Sequence, residues 1–373
     1  MSSIKVILVT YPDYFRLNEG RSLVESVEEY VIVAVFTQKY LNHSKYGLGS
    51  GKAEEIGEFV KENQGVEKII VDEHLTSKQM FNLEKLIGVQ VIDRERLILN
   101  IFYSRATTVE AKLQIQLAEI KYDMPRVREN AKLLSSSGER VGKGGMGEYI
   151  VDVKFRDLKR QMSFIKDKLK DAKSKRELYH QQRVKTGMPV VSLVGYTSSG
   201  KTTLFNLLTN EQKETSADLF TTLSTTSRLM KTNNNERGKG EKGVLIVDTV
   251  GFISRLPTYM IDAFKSTLEE SLAADLILLL IDCSERIDDI RVKYYYCWKV
   301  LEELKVDKSK VLVVLTKADN TDLKTIDDIV KDLQISTDTL IISSKTGYGI
   351  HKLKNIIMDN HKPRNKQNDI LNR

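Results

Sequence analysis

At 373 residues, with 41% hydrophobic and 29% charged side chains and a net charge of +7, the chain is longer than one typical domain and has material for two cores. Its positive excess suits a polyanionic partner. No apolar run approaches the ~20 residues of a membrane span, Met1–Val9 lacks a secretory leader pattern, and two cysteines, Cys283 and Cys297, without metal-ligand spacing read as reduced thiols in a cytoplasmic protein.

In chain order, apolar segments at Ile4–Val9, Val31–Phe36, Lys68–Val71 and Val89–Ile92 predict strands. Amphipathic stretches at Arg21–Glu29, Lys52–Glu62 and Ser77–Leu86 predict the helices between them. Alternating strand and helix indicate a parallel sheet, giving an N-terminal α/β subdomain over residues 1–95. Gly47-Leu48-Gly49-Ser50-Gly51-Lys52 superficially resembles a phosphate loop. No good strand precedes it, so a turn capping the next helix is the preferred reading over a second nucleotide site.

From Arg96 to Lys121 the pattern is long, charged and helical, and Pro125 is expected to end or interrupt it. A glycine-rich connector follows, Ser135–Gly147, then a second long helix from about Val151 to Val184. Residues 96–186 therefore read as an antiparallel hairpin with Phe155, Leu158, Met162, Ile165 and Leu169 along its seam. The second helix is dense in basic residues, among them Lys168, Lys170, Lys173, Lys175 and Arg176. A solvated helix face and a nucleic-acid surface are equal readings of that run.

After Gly187-Met188-Pro189 comes the strand Val190–Val194 and then Gly195-Tyr196-Thr197-Ser198-Ser199-Gly200-Lys201-Thr202, followed by the helical run Leu204–Leu208. Strand, glycine-bounded loop and helix make this a phosphate cradle. Lys201 reaches the terminal phosphates and Thr202 offers its hydroxyl to Mg²⁺. Downstream, Gly243–Val247 is a strand running into Asp248-Thr249-Val250-Gly251, where Asp248 suits a water-mediated place near Mg²⁺ and Gly251 an approach to a γ-phosphate. Between them, Phe220-Thr221-Thr222-Leu223-Ser224 sits where a switch loop belongs. Thr222 is the first choice for a Mg²⁺ ligand and Thr221 the second, although a Thr-rich β edge reads equally well.

Two further strands, Asp275–Asp282 and Lys310–Leu315, precede Thr316-Lys317-Ala318-Asp319. In GTPases this place holds N-K-x-D. Its Asp accepts from guanine's ring N–H and exocyclic amine, which adenine does not match. Thr316 stands where Asn is usual, so a lower guanine affinity is the expectation. Thr339–Ile342 leads into Ser343-Ser344-Lys345, resembling the S-A-K loop at the guanine oxygen. Phe252 follows Gly251 where many GTPases carry a water-orienting Gln, which predicts slow intrinsic hydrolysis. The expected fold is α/β throughout, with a P-loop GTPase domain at 187–359 and a polar tail at 360–373.

With these parts in order, the chain resembles the HflX family of translation-associated GTPases. The specific matches lie outside the generic motifs: Gly49–Ile56, Asp93-Arg94 through Ile98–Ala106, and Glu110–Ala118. Within the GTPase region they are Gly195–Thr202, Phe220–Ser224 and Asp248–Phe252. The resemblance implies a Ras-like GTPase domain and binding to the large ribosomal subunit and its RNA, with roles in splitting ribosomes. It also implies Mg²⁺ ligation by Thr202 and Thr222. A monomer exchanging GTP and GDP is expected. One departure stands out. Bacterial members carry R-G-P-G-E-T-Q-L-E in the connector, where this chain has Gly144-Gly145-Met146-Gly147-Glu148-Tyr149. A nucleotide-dependent RNA-remodelling protein with an N-terminal nucleotide site is the alternative.

Overall fold

A computed structural model describes residues 3–136, 146–212, 226–230, 243–262, 272–336 and 339–359. Within the two long helices, the side chains of 128, 130–136, 146–150, 173, 175–177 and 179–186 also lie outside the description. The described chain forms two compact units. The first takes Met1–Arg176 together with Leu256–Phe264 from later in the sequence, and the second is built from Glu177 onward.

In the first unit, strands β1 (Ile4–Thr10), β2 (Tyr30–Thr37), β3 (Val66–Val71) and β4 (Gln90–Asp93) form an all-parallel sheet in the order β2-β1-β3-β4. Val6, Ile7, Leu8 and Val9 are wholly buried, as a strand covered on both faces requires. Helices α1 (Tyr14–Glu25), α2 (Ser50–Glu62) and α3 (Ser77–Ile87) provide the crossovers. Helix α1 starts seven residues before the expected Arg21 and stops before Glu29. Asp13 caps it by accepting from the Arg16 N–H at 3.0 Å. Gly20 lies inside α1, where a Cβ would come within 3.2 Å of Asp72 and Thr10. Helix α3 begins with a capping box between Thr76 and Gln79.

The carboxyl ends of β1 and β3, where an open parallel sheet offers a crevice, carry a buried polar cluster. Arg94 bridges Asp72 (2.5 Å) and Glu19 (2.7 Å), and the Thr10 hydroxyl donates to Asp72 at 2.8 Å. Lys52 pairs with Glu55 at 2.7 Å, and Gly47 turns in the left-handed region at φ 78°. Gly47–Gly49 is therefore the turn, and α2 opens at Ser50, two residues before the expected Lys52.

The long helix expected from Arg96 is two helices, α4 (Arg94–Arg105) and α5 (Val109–Ser136). Ala106 is extended at the break, and the Thr108 hydroxyl accepts from the Ala111 N–H at 3.1 Å, capping the new start. Pro125 lies inside α5 and does not end it. It removes one N–H donor, a loss confined to one turn of a 28-residue helix. Helix α6 runs from Met146 to Thr186. Leu117, Ile120 and Ile165 pack together with Leu158, Met162 and Leu169 beside them, along the expected seam, and the Phe155 ring lies under Lys159. Also in this unit, the Tyr259 hydroxyl donates to Glu95 at 2.8 Å, and His74 Nδ1 lies 3.1 Å from the other Glu95 oxygen.

The second unit is a six-stranded sheet in the order β10-β9-β8-β5-β7-β6. Its strands are β5 (Val190–Gly195), β6 (Thr226–Met230), β7 (Val244–Asp248), β8 (Leu276–Asp282), β9 (Val311–Thr316) and β10 (Leu340–Ile341). All pairs are parallel except β6 with β7. Helix α7 (Lys201–Thr209) and, by chain order among the described residues, α8 (Ile287–Glu303), α9 (Leu323–Asp332) and α10 (Ile350–Asp359) complete it. Every residue of β8 is buried, and Leu278 and Leu280 join Leu193, Phe205 and Leu353 in one core. No helix among the described residues is long and apolar enough to cross a membrane.

Candidate nucleotide site

The parallel register brings the carboxyl ends of β5, β7, β8 and β9 to one edge of the second sheet, the side where open α/β sheets bind ligands. Strand β5 ends at Gly195, whose backbone leaves no room for a side chain. A Cβ there would sit 2.5 Å from the Leu280 carbonyl oxygen. The loop turns through Ser198 (φ 62°) and Gly200 (φ 89°), both left-handed, and enters α7 at Lys201. Ser198 adopts this conformation without being glycine, which the sequence did not signal.

Gly200 at the helix start supplies no side-chain cap, so the first-turn N–H groups of α7 meet no capping oxygen from that residue. The backbone N–H groups at a helix N-terminus suit a phosphate. Lys201 is 6% exposed and folds back along the loop, donating to the Tyr196 carbonyl at 2.7 Å. Burial pulls its ammonium down to about 8, while the Asp248 carboxylate pushes the other way. Thr202 Oγ1 donates to Asp248 Oδ2 at 3.1 Å, joining α7 to the end of β7. A hydroxyl and a fully buried carboxylate in contact at a phosphate cradle are a donor set suited to a hard, oxygen-liking cation. The magnesium expectation therefore fits Thr202 and Asp248. Thr222, with Phe220, Thr221, Leu223 and Ser224, lies outside the described residues.

The D-x-x-G segment closes against the loop. Thr197 N donates to the Phe252 carbonyl at 2.8 Å, and Phe252 N donates to the Gly195 carbonyl at 3.0 Å. The Tyr196 hydroxyl accepts from Ser254 N at 2.6 Å. Gly251 is where these chains touch. A Cβ on it would lie 2.8 Å from the Thr197 side chain and 3.0 Å from Lys201 Nζ. Thr249 does not face this space, because its hydroxyl donates to the Leu193 carbonyl at 2.7 Å. Val250 is half-buried, and Phe252 is buried at 3% exposure. An apolar, enclosed side chain has no means of orienting water.

At the far end, Asp319 is exposed, and its Oδ1 accepts from the Ser343 hydroxyl at 2.6 Å. That bond holds the Asp319 carboxyl below its ordinary range. Ala318 N donates to the Ile342 carbonyl at 3.2 Å, tying the two loops together. Ser344 is half-buried and Lys345 exposed on the loop that Ser343 begins. Thr316 ends β9 behind these loops. Its hydroxyl lies 2.9 Å from the Ser199 carbonyl and 3.2 Å from the Ile281 carbonyl, and the residue is 3% exposed. The group is engaged by the phosphate loop and the neighbouring strand instead of reaching toward a base.

Sequence reasoning missed Asp282. It is buried and lies 2.6 Å from Lys317 Nζ. The signal was present, since an all-apolar strand that ends in a carboxylate must place that charge at the sheet's carboxyl edge. The cysteines agree with the reduced-thiol reading. Both are free and buried, and burial pushes each thiol up to about 12. Of the basic run, Lys168 and Lys170 are exposed on α6, while the side chains of Lys173, Lys175 and Arg176 lie outside the described set.

Comparison with known proteins agrees with this geometry. Three family models match in succession: GTP-binding GTPase N-terminal over residues 15–103, GTP-binding GTPase Middle Region over 105–183, and 50S ribosome-binding GTPase over 190–338. The GTPase HflX of Methanocaldococcus jannaschii is 39% identical over 316 residues, covering 84% of this chain and 76% of that relative. The GTPase HflX of Hyperthermus butylicus is 35% identical over 93% of this chain and 95% of its own length. The crystal structure of SsGBP in complex with GDP shares the fold at a TM-score of 0.53 and 23% identity, covering 96% of this chain and 98% of that one. The three models in this order and the HflX relatives at 35–39% identity place the chain in the HflX family of GTPases.

Proposed function

We propose that this GTPase works as a GTP-switched factor of the large ribosomal subunit. The observation that carries the nucleotide half is the convergence of Lys201, Thr202 and Asp248 at a cradle whose Gly195 and Gly251 admit no Cβ. In this reading the backbone of Gly195–Thr202 and the start of α7 receive the phosphates, and Lys201 leaves its carbonyl partners to meet them. Thr202 and Thr222 hold Mg²⁺, which when bound neutralises phosphate charge. Asp319, oriented by Ser343, selects guanine, with Lys317, Ala318, Ser344 and Lys345 around the base. Phe252 positions no water, so the isolated protein turns over slowly and awaits a partner. The units assigned to these tasks are 1–95 and 96–186 for the partner and 187–359 for the nucleotide.

The ribosomal half rests on the family model described as a 50S ribosome-binding GTPase and on the exposed lysines of α6. Phosphate contacts through such lysines weaken with salt as counterions are released. Splitting or rescue of ribosomes is the cellular task to which this reading extends.

Two measurements test it. GTP should displace a bound guanine nucleotide where ATP does not, and Lys201→Ala should abolish tight binding. Equal competition by ATP sinks the guanine assignment. Cosedimentation with large subunits should be stronger with a non-hydrolysable GTP analogue than with GDP. It should weaken when Lys168, Lys170, Lys173, Lys175 and Arg176 are all replaced by Gln. Indifference to the nucleotide removes the switch, and unchanged binding by the Gln variant moves the RNA contact elsewhere.

A further inference from the structure

Strands β8 and β9 run parallel with Asp282 level with Thr316. One residue later the backbone of Lys317 turns left-handed at φ 58°, and its ammonium lies 2.6 Å from Asp282 Oδ2. The second carboxylate oxygen is also engaged. Asp282 Oδ1 accepts from Ser284 N at 3.0 Å and from the Ser284 hydroxyl at 2.6 Å. The Asp282 side chain is 6% exposed while that of Lys317 is 37% exposed. A fixed, buried anion thus holds the tip of a lysine whose side chain keeps part of its surface open, two residues before Asp319.

We propose that Asp282 is a positioning residue for base recognition. It pins the Lys317 ammonium so that the aliphatic stem stands ready as one wall for a flat purine. The inference rests on the guanine-binding reading and deepens it. An unpinned lysine distributes over many rotamers, and ordering it on binding lowers affinity. The pair with Asp282 orders the chain before the nucleotide arrives. Nothing in this role touches the phosphates, so its signature is a change in affinity without a change in turnover at saturation.

The test uses the full chain and four variants. Asp282→Asn keeps the shape and an acceptor for Ser284 while removing the charge. Lys317→Met keeps an unbranched stem and removes the ammonium. The Asp282→Asn/Lys317→Met double variant and Ser284→Ala complete the set. Equilibrium binding of a fluorescent GDP analogue and steady-state GTP hydrolysis are measured for each. Asp282→Asn should raise the dissociation constant and KM about 2- to 12-fold, the range for ordering one long side chain, with kcat unchanged. The double variant should bind no more weakly than Lys317→Met, because Asp282 acts through Lys317. Ser284→Ala, which loosens the carboxylate from its other side, should shift affinity in the same direction by less. This variant keeps the question decidable should Asp282→Asn fold poorly. Unchanged affinity in both Asp282→Asn and Ser284→Ala overturns the proposal, as does a loss from Asp282→Asn that adds in full to that of Lys317→Met. An unmutated protein that binds ADP as well as GDP overturns the guanine reading and this proposal with it. Guanine preference with additive losses overturns this proposal alone.

Discussion

Thr316→Val deletes one oxygen and keeps the shape of the side chain. The hydroxyl it removes lies 2.9 Å from the Ser199 carbonyl, in the phosphate loop 117 residues away in sequence. The second contact, to the Ile281 carbonyl, is longer at 3.2 Å, and one proton serves both. Removing a partner from a buried carbonyl costs about 1–3 kcal/mol. Toward the lower end of that range the loop loses about 1.5 kcal/mol of its preference for the phosphate-ready shape. If the loss falls on the nucleotide-bound form, the dissociation constant for GDP rises about tenfold, since 1.4 kcal/mol is a factor of ten. If it falls on the fold, the melting temperature of the nucleotide-free protein drops by a few degrees. Stopped-flow release of a fluorescent GDP analogue, beside thermal melts with and without GDP, separates the two. Thr316→Asn restores a side chain able to make both contacts and should retain or strengthen binding. A Thr316→Val protein with unchanged release rate and unchanged melting temperature would show that the bond does not tie the loop, refuting the reasoning.

Gly251→Ala should lower the rate of GTP hydrolysis more than tenfold, because its Cβ would stand 2.8 Å from the Thr197 side chain where the two loops close; such overpacking costs about 1–3 kcal/mol, and single-turnover hydrolysis reads the outcome. The Lys201 ammonium, held down to about 8 by burial, should take up a proton as phosphate arrives, so GDP affinity should fall as pH rises from 7 to 9. Calorimetry at pH 8 in buffers of different ionisation enthalpy should register that uptake, and Lys201→Arg should erase it. His74 is raised above its ordinary 6.5, chiefly by its bond to Glu95. A raised value means the folded state holds the proton more tightly, so this stabilisation is full below about pH 6.5 and is lost as pH rises through the folded value. His74→Gln should therefore destabilise the first unit at pH 5.5 and leave it unchanged at pH 9, by only a few tenths of a kcal/mol since the imidazole is half exposed; hydrogen exchange of β3 and β4 amides is the measure.

Much of the fold was legible because its signals are local. Six apolar residues in a row, Leu276–Ile281 with Asp282 at the end, make a central parallel strand in any context that buries both faces. Glycines bounding a loop that runs into a lysine after such a strand make a phosphate cradle for reasons of backbone space alone. The start of helix α1 was misplaced at Arg21, seven residues beyond the Tyr14 at which the Asp13 cap opens it. The single helix expected from Arg96 fails at Ala106, where no Pro or Gly warns of the break and only the Thr108 cap does.

Within the site the division follows the same line. Sequence alone determined the strand, loop and helix around Gly195–Thr202, the strands that run into Asp248 and toward Asp319, and the absence of a Gln at position 252. These depend on residue type and spacing along one chain. Only the tertiary structure decided which neighbour each polar atom meets. It assigned the Thr316 hydroxyl to the Ser199 carbonyl, Thr249 to Leu193, and Asp282 to Lys317. These pairings join residues brought together by sheet register and loop closure. A hydrogen bond depends on tenths of an ångström, which no local pattern encodes.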